Sequence, residues 1–311
     1  MIPAAGGLAV WWLARRGAPR TNAHFDSKAL EGGVDVWLEA RESGVPALRP
    51  AAQKRVRWAG QPEERTDWSV VYIHGFSATA DEIRPVPDMV ADGLGANLVF
   101  TRLKGHGRDG PAMAEATVEG WMEDVAEALA IARRVGRQIL VMGTSTGATL
   151  VTLALHEAMA EAVSGVVLIS PNFRVADPKS ALITWPGARW WAPLVAGREQ
   201  GFEPQNARHA ATSTPRYPLV ATLPMAALVA HVGGLDHGRA RMPLLLIYDP
   251  RDSVVDHAAT ERLAETWRGS VRRAVVQATG DPNRHVIAGA IRSPEMTQPV
   301  TGRILDWTRG I

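Results

Sequence analysis

The chain has 311 residues, 46% of them hydrophobic and 21% charged, with a formal net charge of +2 at pH 7; this is the make-up of a globular protein with apolar material for a large buried sheet, and it excludes disordered and collagen-like chains. With Cys 0, disulfides, thiolate metal sites and thiol nucleophiles are excluded as well. The isoelectric point of 9.2 reflects a small positive charge that persists where only 3 Tyr and no Cys titrate, and without a basic stripe it gives no reason to expect a nucleic-acid partner.

Residues 2–13 are apolar, include Trp11 and Trp12, and are followed by Arg15 and Arg16. The run is shorter than the roughly 20 apolar residues that span a bilayer, and its cations follow it, the reverse of a signal peptide. It reads as a peripheral helix or tail of a cytoplasmic protein, with membrane association through this segment as the alternative. Leu30, Val34 and Leu38 recur at helical spacing over residues 27–42, and Pro46 and Pro50 then break the chain.

From there apolar runs and amphipathic stretches alternate. Strands are predicted at 55–58, 69–74, 96–100, 138–143, 163–170, 243–248 and 271–277. Several are continuously apolar, as strands covered on both faces of a parallel sheet are. Helix 118–135 has one apolar stripe, from Val118 and Trp121 to Val135, with Glu119, Glu123, Glu127 and Arg134 facing elsewhere. A second helix is expected over 148–160 and a last one over 294–307. The rhythm breaks between 171 and 242, where Pro186, Pro193, Pro204, Pro215 and Pro218 punctuate a stretch holding Trp185, Trp190 and Trp191. The expected organisation is an N-terminal extension with a helix (1–50), an α/β core (51–170 and 243–311) with a mostly parallel twisted sheet and helices on both faces, and an inserted, mainly helical cap or lid (171–242).

Gly143-Thr144-Ser145-Thr146-Gly147 follows a predicted strand and precedes a predicted helix. A G-x-S-x-G pattern there allows a sharp backbone reversal, projects Ser145 Oγ at the strand's C-terminal edge, and aims a helix N-terminus at developing negative charge. A serine hydroxyl needs a base. Of the 9 His, His285 lies in the loop 279–285 after the last predicted strand, and a wound sheet gathers such loops on the edge where Ser145 emerges. The imidazole needs a carboxylate. Asp252 suits, in the loop 249–255 after strand 243–248, with Asp249 and Asp256 as rivals that could instead serve as helix caps. Oxyanion donors are expected at the N–H groups of Thr146 and, in the turn His74-Gly75-Phe76, of Phe76. His74 reads as a structural hydrogen-bonding residue. Trp185, Trp190 and Trp191 are candidates for lining an apolar substrate pocket, and packing within the cap explains them equally well.

Together His74-Gly75-Phe76, the Gly105-His106-Gly107 loop, the Ser145 elbow, the Asp252 loop and the His285 loop resemble the α/β-hydrolase superfamily, and more narrowly the capped bacterial carboxylesterases and monoacylglycerol-lipase-like enzymes, over about residues 55–307. The resemblance implies the α/β-hydrolase fold, Ser145 as nucleophile, Asp252 as acid, His285 as base, Phe76 and Thr146 as oxyanion donors, a lid, no cofactor and no metal. His106 reads as structural. Relatives often carry Pro at the positions of Lys104 and Asp256, both in loops. The expected activity is a serine carboxylic-ester hydrolase acting on small-molecule esters, short- to medium-chain or lipid-like, through an acyl-enzyme. Two alternatives stay open. One is an amide or peptide hydrolase resembling proline iminopeptidases, which would need a grip on a substrate amine of the kind Glu199 and Glu203 could supply. The other is an inactive hydrolase fold used for binding.

Overall fold

The computed structural model describes residues 19–277 and 280–311. The apolar N-terminal run with Trp11, Trp12, Arg15 and Arg16, and Thr279 of the His285 loop, lie outside the described residues. The elements are, in order, α1 (Val34–Ser43), β1 (Arg55–Arg57), β2 (Thr66–Ile73), α2 (Val86–Leu94), β3 (Asn97–Phe100), α3 (Val118–Val135), β4 (Gly136–Thr144), α4 (Thr146–Ala154), β5 (Val163–Ile169), α5 (Ala188–Ala196), β6 (Glu199–Gly201), α6 (Ala207–Thr212), β7 (Arg216–Pro218), α7 (Thr222–Val232), β8 (Leu244–Tyr248), α8 (His257–Thr266), β9 (Val271–Val275) and α9 (Thr297–Thr308).

Seven strands form one sheet in the order β1-β3-β2-β4-β5-β8-β9. Only β1 runs antiparallel, pairing Val56 with Val99; every other neighbour is parallel. Successive strand residues alternate between two packed faces. Val71, Ile73, Val141, Leu168 and Leu246 face α3, α4 and α7. Tyr72, Leu140, Met142, Ile169 and Ile247 face α2 and α9. Covering both faces is what makes these strands read as unbroken apolar runs.

Local departures from the sequence expectation have local causes. The first predicted helix is a 3-10 turn at Ser27–Leu30 followed by α1, because Gly33 takes φ 106, a conformation open to glycine. The helix expected over 148–160 is α4, closing at Ala154, with a separate 3-10 turn at Ala158–Ala160. Glu127, off the apolar stripe of α3, is nevertheless buried. The segment through α1 and β1 covers that side: Lys54 Nζ lies 2.6 Å from Asp124 and also pairs with Glu127, and Trp37 Nε1 donates to Glu127 at 2.8 Å. Arg102 and the Lys54 backbone N–H both bind Glu42 of α1, at 2.7 and 3.0 Å.

Between β5 and β8 lie α5, α6, α7 and a two-stranded antiparallel sheet of β6 and β7 that strand patterning did not predict. Ala188, Ala192 and Leu219 make a small core there, joined by Trp191. Leu228 and Val232 of α7 belong instead to the main core. The Thr214 N–H donates to Ser77 O at 2.7 Å, tying the inserted stretch to the loop after β2.

Candidate active site

Ser145 stands between the last residue of β4 and the first of α4 with φ 52 and ψ −117, a strained conformation for a residue with a Cβ. The turn is possible only with glycines on both sides. A Cβ on Gly147 would stand 2.2 Å from Ile73 O, and one on Gly143 would stand 2.8 Å from the Ala148 backbone. The Ser145 N–H is bonded to Ile169 O of the adjacent strand at 3.0 Å, so the hydroxyl is left to face the sheet edge.

The structure brings the three expected side chains together. His285 Nε2 lies 2.9 Å from Ser145 Oγ, and His285 Nδ1 lies 2.7 Å from Asp252 Oδ2. The carboxylate can only accept, so Nδ1 carries the proton and Nε2 is the acceptor for the serine hydroxyl. Asp252 is fixed by its own loop, its Oδ1 accepting the Val254 and Val255 N–H groups at 2.7 and 3.1 Å. The rivals are engaged elsewhere. Asp249 is buried between Arg251 and Arg284, at 3.2 and 3.5 Å, and Asp256 caps α8 through the Ala258 N–H at 2.9 Å while pairing with Arg174.

Asp281 lies in the His285 loop, where the sequence assigns it no role. It is buried, and its Oδ2 accepts the N–H groups of His285 and Val286 at 3.1 and 2.8 Å while Arg292 binds its Oδ1 at 2.5 Å. It therefore sets where the imidazole stands. The signal available was Asp281-Pro282-Asn283, a turn whose aspartate bonds back to the N–H two residues on, here Asn283 at 3.1 Å.

Phe76 and Thr146 both line the cavity beside Ser145 and His285. Among the described residues neither backbone N–H donates to another protein group, which leaves two donors unengaged beside Ser145. The Phe76 ring is wedged edge-on between His106 and Tyr217, with centroids at 5.6 and 5.2 Å. His74 and His106 are structural. His74 Nδ1 donates to Gly75 O at 2.9 Å and its Nε2 accepts the Leu103 N–H at 3.2 Å, while His106 Nδ1 donates to Lys104 O at 3.2 Å. Burial lowers them to about 4 and about 3, which keeps both neutral.

The cavity measures about 380 Å³. Phe202, Tyr217, Met225 and Val254 give it apolar wall, and Glu82, His209 and Arg292 line it as polar groups. The three tryptophans are elsewhere, which corrects their expected role. Trp185 and Trp190 are 62% and 59% exposed, and Trp191 packs on the inserted stretch's own core, with Nε1 donating to Pro186 O at 3.1 Å. Helix α5 turns its large side chains away from the cavity, a choice of face that composition cannot reveal. Glu203 lines the cavity and is paired with Arg216 at 2.8 Å, whereas Glu199 lies in β6, outside the lining. Among the described residues no three His, Asp or Glu side chains are grouped so as to hold a metal ion, and no helix is long and apolar enough to cross a membrane.

A parallel sheet wound with helices on both faces, with Ser145 on the turn between its central strand and a helix and His285 and Asp252 on loops after the last strands, defines the α/β-hydrolase class. The chain belongs to the family described as serine aminopeptidase, S33, whose model matches residues 64–221, just over half of the chain; it is a member of a hydrolase family. Solved structures of similar fold include a metagenome-derived lipolytic enzyme of the LipS and LipT pair (20% identity, TM-score 0.67, 85% of this chain and 100% of that one). Others are a soluble variant of monoglyceride lipase from Saccharomyces cerevisiae (11%, 0.61, 85% and 96%) and the monoacylglycerol lipase of Paleococcus ferrophilus (16%, 0.56, 82% and 98%). At these identities the likeness is one of fold. A comparison with curated proteins finds no significant match.

Proposed function

We propose that the protein is a serine carboxylic-ester hydrolase that acts on small-molecule esters through an acyl-enzyme. The observation that carries this reading is the unbroken line from Asp252 through His285 to Ser145 beside two unengaged N–H donors. Ser145 Oγ attacks the ester carbonyl as His285 Nε2 takes its proton, and the carbonyl oxygen becomes an oxyanion held by the Phe76 and Thr146 N–H groups. The C–O bond to the alcohol breaks, and His285 returns the proton to the leaving oxygen. Water, deprotonated by His285, then attacks the acyl-serine, releasing the acid and restoring Ser145.

The apolar wall of the cavity supports an acyl chain of short to medium length, and the lipolytic enzyme and lipases of like fold support ester over amide. A peptide substrate would bring an ammonium group into a cavity where Glu203 is paired with Arg216 and Glu82 already accepts the Gly75 N–H and the Tyr72 hydroxyl. The inactive-fold reading is disfavoured by the intact line of catalytic side chains. The test is hydrolysis of nitrophenyl esters from acetate to palmitate, alongside alanyl and prolyl nitroanilides, by wild type and Ser145→Ala. Ester turnover lost in the variant is expected; turnover of the anilides alone would replace the ester reading with the peptidase one.

A further inference from the structure

Glu82 sits at the cavity with no direct ion pair: among the described residues no Lys, Arg or His lies within ion-pairing distance of its carboxylate. A half-buried carboxylate with no cation in direct contact is costly to keep, and burial raises its pKa, while the Gly75 N–H and, from farther off, Arg292 oppose the rise. Its hydrogen bonds indicate why it is there. Oε2 accepts the Gly75 N–H at 2.8 Å and the Tyr72 hydroxyl at 3.1 Å, and Tyr72 Oη is in turn 3.1 Å from Thr144 Oγ1. Gly75 precedes Phe76, and Thr144 precedes Ser145. Directly and through the Tyr72 hydroxyl, one carboxylate oxygen thus joins the loop after β2, which carries one unengaged N–H, to the end of β4, which leads into the other.

The fit around this oxygen is close. A Cβ on Gly75 would meet Glu82 Oε1 at 2.8 Å and Ser145 Cβ at 3.3 Å, so carboxylate, loop backbone and nucleophile are packed with no room between them. The turn that bears Glu82 is itself clamped from the His285 side. The Ala290 N–H donates to Arg84 O at 2.8 Å, and Gly289 packs so tightly on Ile83 that a Cβ there would stand 2.6 Å from its Cα.

We propose that Glu82 is a positioning residue for oxyanion stabilisation: by gathering the Gly75 N–H and the Tyr72 hydroxyl on one oxygen, it holds the Phe76 N–H in register with the Thr146 N–H across Ser145. This rests on the serine-hydrolase reading but not on the identity of the substrate. A neutral acceptor of the same shape performs the task, because the Gln carbonyl oxygen can take both hydrogen bonds. A side chain without an acceptor does not.

The experiment is the rate at which a fluorophosphonate labels Ser145, read by mass spectrometry. In that reaction Ser145 Oγ forms a bond to phosphorus, fluoride leaves, and the phosphoryl oxygen occupies the oxyanion position, so no knowledge of the substrate is needed. Glu82→Ala is expected to label about 10- to 100-fold more slowly, somewhat less than outright loss of an oxyanion donor. Glu82→Gln should stay within about threefold of wild type, and Tyr72→Phe, which leaves the backbone tie intact, should fall between. On whichever ester the wild type turns over, the Glu82→Ala loss should appear in kcat with KM within about twofold. Labelling by Glu82→Ala within threefold of wild type overturns the proposal, and so does a loss that Glu82→Gln shares. If Glu82→Ala does not fold, Tyr72→Phe decides: labelling at the wild-type rate overturns it. A wild type that labels but cleaves no ester removes the ester reading and leaves these ratios meaningful; a wild type that does not label removes both.

Discussion

Asp252 meets His285 with only one of its two carboxylate oxygens: Oδ2 is 2.7 Å from Nδ1, while Oδ1 is occupied by the Val254 and Val255 N–H groups. The division separates orientation of the acid from its electrostatic work. Asp252→Asn keeps an oxygen for the two valine N–H groups and turns an NH2 donor toward Nδ1, which forces the imidazole into the tautomer that cannot accept the serine proton. Ester hydrolysis should fall roughly 10³- to 10⁴-fold. Urea unfolding of the same variant should show a change of under about 1 kcal/mol, since the fixed half of the contact survives. A midpoint lowered by much more would mean that the ion pair holds the loop together rather than tuning the base.

Ser145 pays for its placement in backbone strain, and that strain is separable from its chemistry. Both Ser145→Ala and Ser145→Gly should be inactive. Only glycine relaxes at φ 52, so the glycine variant should be more stable than the alanine variant by about 1 kcal/mol, the strain relieved less the extra freedom of the unfolded chain. Thermal melts of the two proteins side by side measure the difference. Equal melting temperatures would show that the turn is comfortable for any residue.

His74 and His106 predict how stability depends on pH. Their folded-state values, about 4 and about 3, lie below the ordinary 6.5, so between those limits the unfolded chain binds more protons and stability falls as the pH drops. At pH 5 each should have cost the native state about 2 kcal/mol relative to pH 8. Burial raises the carboxyl values of Asp124 and Glu82, which acts in the opposite sense. The histidine share is therefore best read as the pH 8 minus pH 5 difference in unfolding free energy, compared between wild type and His106→Asn. The variant should lose about 2 kcal/mol of that difference; an unchanged difference would mean that His106 takes up its proton in the native state.

The tryptophans and Met225 make opposite predictions. Trp185→Ala and Trp190→Ala should leave kcat/KM for short nitrophenyl esters within about twofold, as substitutions outside the cavity do. Met225→Trp fills cavity volume, so the preferred acyl chain should shorten, with longer esters losing about tenfold. A chain-length profile of each variant decides. Loss of long-ester activity in the tryptophan variants would show that the cavity extends to α5 in use.

The meeting of Ser145, Asp252 and His285 was legible because a parallel sheet aligns strand ends: residues that follow β4, β8 and β9 in sequence must share an edge. Asp281 was harder to see, since its partners are backbone N–H groups that no side-chain pattern encodes. The β6 and β7 pair is three residues a side, too short for alternation to register. Glu82 carries no sequence signal of its own, because its value lies in where Gly75 and Tyr72 point. The burial of Glu127 is hidden from the sequence for a different reason. Helical periodicity tells which residues share a face but not whether another segment will cover it, and here Lys54 and Trp37 do.

That covering has a consequence for exchanging parts between relatives. The shared family region begins at residue 64, yet the ammonium that pairs with both Asp124 and Glu127 inside it comes from Lys54, and the carboxylate that holds Arg102 comes from Glu42. Grafting residues 64–311 onto another enzyme's leader would transplant two acids and a guanidinium whose counter-charges stayed behind, and removing one partner from such buried pairs costs about 3–5 kcal/mol. The recombination point that keeps this charge account closed lies ahead of α1, some distance upstream of where sequence kinship becomes visible.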